Sequence, residues 1–325
     1  MHRETGNTMD ASPVNRAIPL GALIAIGIAA VQLLFLFCFS YPPTNATPKE
    51  IPLGISGPDP AIQQLGDSIG QSGDTFEIRT YPDIEAARQA IRDREIYGAI
   101  VIEADGTTLL VSSAASPAIA TMLKSHFTSV VPDGQMTVED VVPASAGDPN
   151  GSGFLTSVLP LTLLSLALGT VVGLVEGRPI YALGWIALTA VISASGASWI
   201  TSELGIFTGH FWSTSLVFAL LVFGIGVTSQ SLTYFATSGK VLDLTFALVL
   251  LCLGIPGAGA LVPRLLLVEP WRSLGWLLPP GAAVDTLRGV NFFAGAGIAA
   301  GLWVLIGWVL IGLSVSVLRR VKHHA

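Results

Sequence analysis

The sequence predicts an α-helical polytopic membrane protein: six transmembrane helices, with a small extracytoplasmic α/β domain between the first and second. Three observations carry that expectation. Of the 325 residues, 51% are apolar and only 12% charged, and mean hydropathy is +0.66, a composition of membrane proteins rather than soluble globular ones. Apolar runs long enough to cross a bilayer recur, one near the N-terminus and five in the second half. Between Tyr41 and Ser152, fifteen acidic residues stand against six Lys or Arg, which separates a soluble acidic domain from an apolar body. The resulting map is residues 1–16 as a cytoplasmic N-terminus, 17–40 as the first transmembrane helix, 41–152 as the extracytoplasmic domain, 153–318 as a five-helix transmembrane domain and 319–325 as a cytoplasmic tail.

The run from Ala17 to Ser40 exceeds a signal-peptide core and has no small-residue cleavage site at its end, so it reads as an uncleaved anchor. Tyr41, Pro42 and Pro43 are expected to end it. Ile51 to Gly57 reads as a buried strand, after which Asp59 and Pro60 open a helix. Asp74 to Tyr81 alternates as a half-buried strand does. Asp83 caps a helix reaching about Arg94, with Ile84, Ala87 and Ile91 on one face. Two apolar strands meet at Asp105 and Gly106, a hairpin signal. Ser116 and Pro117 open a further helix to about Val130, and Thr137 to Val142 supplies a last strand. The order is that of a small α/β domain.

Five further spans are expected near Phe154 to Val175, Pro179 to Ile200, Phe211 to Ala236, Val241 to Val262 and Asn291 to Leu318. Arg3, Arg16, Arg178, Lys240, Arg319, Arg320 and Lys322 then fall on one side, against Arg264, Arg272 and Arg288 opposite. By the positive-inside rule both termini are cytoplasmic and residues 41–152 outside. Cys38 and Cys252 lie inside spans as small apolar fillers.

No enzymatic constellation emerges. The five His (His2, His126, His210, His323 and His324) are dispersed or terminal. There is no GxSxG elbow, HExxH helix or phosphate-binding loop, and no cofactor, metal or nucleic acid is expected. Ionisable groups are scarce in the spans. Asp243 is expected to form an interfacial pair with Lys240, and Thr228, Ser229, Gln230 and Ser231 to serve helix packing or line a path. Gly169 with Gly173, and Gly297 with Gly301, form GxxxG pairs for close helix approach.

The stretch that organises the chain is Leu277 to Phe293. Pro279, Pro280 and Gly281 should stop a helix at Leu278, and a new one should start near Ala282. Asp285 would sit in its first turn and pair with Arg288 one turn on. At the outer mouth of the bundle, these five residues (Pro279, Pro280, Gly281, Asp285 and Arg288) are the substrate or gating candidates. Arg288 is expected to satisfy carbonyls that the prolines leave free.

Three stretches resemble a known family: YGAIVIEADGTTLLVSSAASP, DPNGSGFLTSVLPLTLLSLALG and LLPPGAAVDTLRGVNFFAGAG. With one span, a large external domain and five more spans, the chain resembles the membrane subunits of type-2 ABC exporters, in the bacterial branch that grades into the phage-infection-protein (YhgE/Pip-like) membrane proteins. The resemblance implies a non-catalytic permease that moves or gates an apolar or amphipathic substrate, with energy from a separate ATPase and with membrane lipids and a second copy of the chain as partners. One departure matters: only Glu176, Gly177 and Arg178 separate the second and third spans, where such permeases place an ATPase-contacting helix. The alternative is a non-transporting envelope protein whose external domain binds a partner or cell-wall component.

Overall fold

The computed structural model describes residues 20–60, 62–63, 74–104, 106–130, 136–234 and 239–324. The N-terminal segment, most of the helix expected after Asp59, and Asp105 of the hairpin turn lie outside them. The first helix, α1 (Leu20–Thr44), runs through Pro42 and Pro43 instead of ending there. Prolines are tolerated in this last turn because the residues after them close it. The Thr44 hydroxyl donates to the Ser40 carbonyl (2.8 Å), and the Asn45 amide side chain and backbone N–H both donate to the Tyr41 carbonyl (3.0 and 3.1 Å).

The soluble domain is a five-stranded sheet in the order β2-β1-β3-β4-β5, with β1 (Ile51–Ser56), β2 (Phe76–Thr80), β3 (Gly98–Glu103), β4 (Gly106–Val111) and β5 (Met136–Asp140). All neighbours are parallel except β3 and β4, which form the antiparallel hairpin with Glu103 opposite Gly106. Asp83 caps α2 (Ile84–Arg92) by accepting from the Ala86 N–H at 2.8 Å. Pro117 opens α3 (Pro117–Val130). Ile51, Leu53 and Ile55 face α3 residues Ile119, Leu123 and Phe127, whereas Ala99, Val101 and Leu110 face α2 residues Ala87 and Ile91. A helix on each face explains why β1 is apolar almost throughout: both of its faces are covered. Each such fully buried Leu or Ile contributes about 1.5–3 kcal/mol.

The apolar body comprises α4 (Gly153–Val175), α5 (Pro179–Glu203), α6 (Phe211–Thr233), α7 (Gly239–Val249), a four-residue α8 (Trp271–Leu274), α9 (Pro279–Phe292) and α10 (Ala299–His324). Among the described residues, α1, α4, α5, α6 and α10 are long and apolar enough to cross a membrane. Helix α6 is the central one, with 61% of its apolar window buried against 28% or less in the others. Gly169 and Gly173 of α4 lie against it: a Cβ at Gly169 would stand 2.7 Å from Ser229 Cβ, and one at Gly173 3.0 Å from the Gln230 carbonyl.

The expected span Val241 to Val262 is not one continuous helix. After α7 the chain makes a π-helical turn (Leu250–Gly254) and a 3-10 turn (Pro256–Ala258), then reverses at Gly259, whose φ is +74°. Pro256 has no N–H for the Cys252 carbonyl. The Trp271 indole N–H takes it instead, at 2.8 Å. Beyond the break, Gly257 lies against Gly275, and a Cβ on Gly257 would come within 2.7 Å of Gly275 Cα. Helix α1 docks on this broken segment, through Cys38, Phe37 and Tyr41 against Cys252 and Trp271.

Two boundaries near the C-terminus also differ from expectation. Helical structure does stop before the prolines, in a 3-10 turn (Gly275–Leu277), but the next helix starts at Pro279 rather than near Ala282: both prolines are the first residues of α9, where the missing N–H groups have no intrahelical role. Leu278 before them is extended (φ −95°, ψ 149°), the conformation a residue preceding proline prefers. The last helix starts at Ala299 rather than Asn291, because Ala294, Gly295 and Gly297 all take positive φ in the connecting loop.

Candidate functional site

Between the sheet domain and the apolar body lies a cavity of about 480 Å³, within the usual range of ligand sites. The turn after α2 contributes Arg94 and Tyr97, the loop after Gly259 contributes Leu261 and Arg264, and α9 contributes Gly281, Asp285 and Arg288. Three of the five gating candidates therefore line one cavity. Pro279 and Pro280 do not line it; they are buried in the body of the bundle.

Asp285 does not pair with Arg288. Its Oδ1 accepts from Arg94 Nη2 at 2.5 Å, across 191 residues of chain. Arg94 also donates through Nη1 to the carbonyls of Ala296 (3.3 Å) and Asp285 (3.4 Å), and its guanidinium lies 5.5 Å from the centre of the Phe293 ring. The backbone of Arg94 is left-handed (φ +64°), which turns the side chain off the end of α2. Gly289 and Gly297 make room for it, since a Cβ at either would stand 3.1–3.2 Å from Arg94 Nη1. Gly297 thus belongs to the loop before α10, not to a helical GxxxG face. Gly301, inside α10, packs against the Ala282 carbonyl and Thr286 of α9.

Arg288 stacks on Phe154, 4.5 Å from the ring centre, and Nη2 donates to the Gly259 carbonyl at 3.4 Å. That carbonyl belongs to the broken segment, not to the prolines as expected. Its Nε is buried without a hydrogen-bond acceptor. An arginine so placed stays charged. Arg264, exposed, lies over Trp276 at 5.6 Å. Among the described residues, neither Arg264 nor Arg288 has a carboxylate within 4.0 Å.

Asp243 departs from expectation as well. It is 6% exposed and forms no pair with Lys240 among the described salt bridges. Its two oxygens accept from the hydroxyls of Thr170 and Ser229, each at 2.6 Å. The helices α4, α6 and α7 meet there, and the two hydroxyls make burial of the carboxylate tolerable. Thr228 and Ser231 also bond across helices, to the carbonyls of Trp308 (3.3 Å) and Gly312 (2.8 Å) of α10.

The sequence offered no sign of Arg94. It lies between Asp93 and Glu95 on a polar turn, and the partners that give it a role are nearly two hundred residues away.

Five long apolar helices and a covered sheet outside them define a multi-pass membrane protein. Residues 22–150, from α1 through the sheet domain, match the family model described as ABC-2 family transporter protein. No curated protein and no solved structure matches the chain.

Proposed function

We propose that the chain is a permease-like membrane subunit of an exporter, with no catalytic activity of its own, powered by a separate ATPase subunit. The observation that carries this reading is the cavity shared by the sheet domain and α9. A site built half from an external domain and half from the bundle can change its access when the two move. On this reading both termini are cytoplasmic, residues 41–152 are outside, and the Arg94–Asp285 pair is a latch between the moving parts. The family match over residues 22–150 supports the class, and the likeness to the YhgE/Pip-like branch is a finer form of it. The cargo is apolar or amphipathic, since the cavity combines guanidinium groups with Leu261, Leu265 and Trp276.

A second reading has a specific observation behind it. Only residues 176–178 lie between α4 and α5, which leaves no helix there to receive an ATPase. An envelope protein that binds a partner through its external domain would need none. Purification of the full-length protein from its native membranes in mild detergent decides between them. An ATPase subunit retained with it, its ATP hydrolysis altered by Arg94→Gln, supports the permease. A monodisperse protein isolated without any ATPase supports the second reading.

A further inference from the structure

Arg288 poses an electrostatic problem that the protein leaves unsolved. Its Nε is buried without an acceptor, its hydrogen bond to the Gly259 carbonyl is long at 3.4 Å, and no carboxylate lies within 4.0 Å among the described residues. Stacking on Phe154 helps, but a cation–π contact is weaker than a charge-assisted hydrogen bond to an anion. A guanidinium whose Nε is shut off from solvent and lacks an acceptor is costly to hold without a counter-charge. The nearby acidic groups do not answer it: Asp285 is committed to Arg94, while Asp93 and Glu95 stand at the exposed rim. Arg264, which also lines the cavity, has no acidic partner within 4.0 Å among the described residues either, and rests on Trp276.

We propose that this cavity binds an oxyanion, phosphate or carboxylate, through Arg288 with Arg264 assisting, and that the ligand is the anionic headgroup of an amphiphile. A guanidinium presents planar, charge-assisted donors to such oxygens, and these are stronger than neutral hydrogen bonds. The volume of about 480 Å³ accommodates a headgroup but not a whole lipid. Leu261, 49% exposed, and Leu265 extend an apolar surface from the charged part along which a chain can lie. That surface favours an amphiphile over a free anion. The proposal narrows the permease reading by naming the class of cargo and rests on that reading only for calling the ligand cargo; binding itself needs no ATPase.

The test uses the purified full-length protein in a neutral detergent, with native mass spectrometry and thermal unfolding as readouts. The probes are phosphatidylglycerol, diacylglycerol of the same chains, and inorganic phosphate. Phosphatidylglycerol is expected to bind saturably and raise the melting temperature, and diacylglycerol to do neither. Arg288→Gln weakens phosphatidylglycerol binding about tenfold or more, as loss of a charge-assisted bond should. Arg264→Gln, at an exposed position, weakens it by a smaller factor and serves if Arg288→Gln does not fold. Arg272→Gln, outside the cavity, leaves it unchanged. Failure of inorganic phosphate to displace the lipid supports the amphiphile as the source; full displacement keeps the oxyanion site but overturns the lipid assignment. Equal binding of phosphatidylglycerol and diacylglycerol, or unchanged binding in folded Arg288→Gln and Arg264→Gln, overturns the proposal. Because no ATPase is present, that failure leaves the permease reading standing, and loss of the ATPase association leaves the binding result standing.

Discussion

Arg94 and Asp285 form a part-buried ion pair between the sheet domain and α9. The pair is only part-exposed, at 17% and 34% for the two side chains, so screening by water weakens it less than it would a surface pair. Asp285→Ala leaves Arg94 with two main-chain carbonyls and no carboxylate partner. The expected loss is about 1–3 kcal/mol, read as a lower unfolding temperature in detergent. Glu77→Ala removes the exposed partner of Arg79 on the edge strand β2 and should cost at most about 1 kcal/mol. Equal effects of the two would remove the latch from the account. At this scale the sequence was a partial guide. It directed attention to Asp285 and Arg288 but paired them with each other, because three residues of helix is the only separation a sequence displays. The true partners come from the turn after α2 and the loop at Gly259, and nothing local announces either.

The elements divide into those with local signals and those without. Asp83, the residues around Gly106 and Pro117 each punctuate the chain where they stand, so the sheet domain was legible almost strand by strand. The break after α7 was legible only as a kink at Pro256, because hydropathy runs unbroken through it and the compensation comes from Trp271. Pro279 and Pro280 illustrate a different difficulty: the same missing N–H groups fit a helix end or a helix start, and only the extended Leu278 decides for the start. The broken segment yields a direct test. Trp271→Phe retains an aromatic ring but leaves the buried Cys252 carbonyl without its donor, for an expected loss of about 1–3 kcal/mol in detergent melts. Trp303→Phe, at a position 70% exposed, serves as reference and should change little. A Trp271 variant as stable as the reference would mean that the carbonyl finds another donor.

At the scale of the whole molecule, the account requires the sheet domain to sit on one side of the membrane over the mouth of the bundle and the α4–α5 turn to face the other. Charge distribution argues for the domain outside, and the proposed export through the cavity beneath it requires that arrangement. Five continuous apolar helices alone would leave the two ends of the chain on opposite sides. Both termini share a side only if the broken segment from α7 to α9 completes the sixth crossing, shielded by protein as irregular backbone at membrane depth must be. Labelling of intact cells with a membrane-impermeant maleimide measures this directly. Cys38 and Cys252 are buried, at 4% and 7% exposure, and give a low background. Gly106→Cys is predicted to label in intact cells, and Gly177→Cys and Ala325→Cys only after permeabilisation; labelling of Gly177→Cys or Ala325→Cys in intact cells, or protection of Gly106→Cys, would contradict the account.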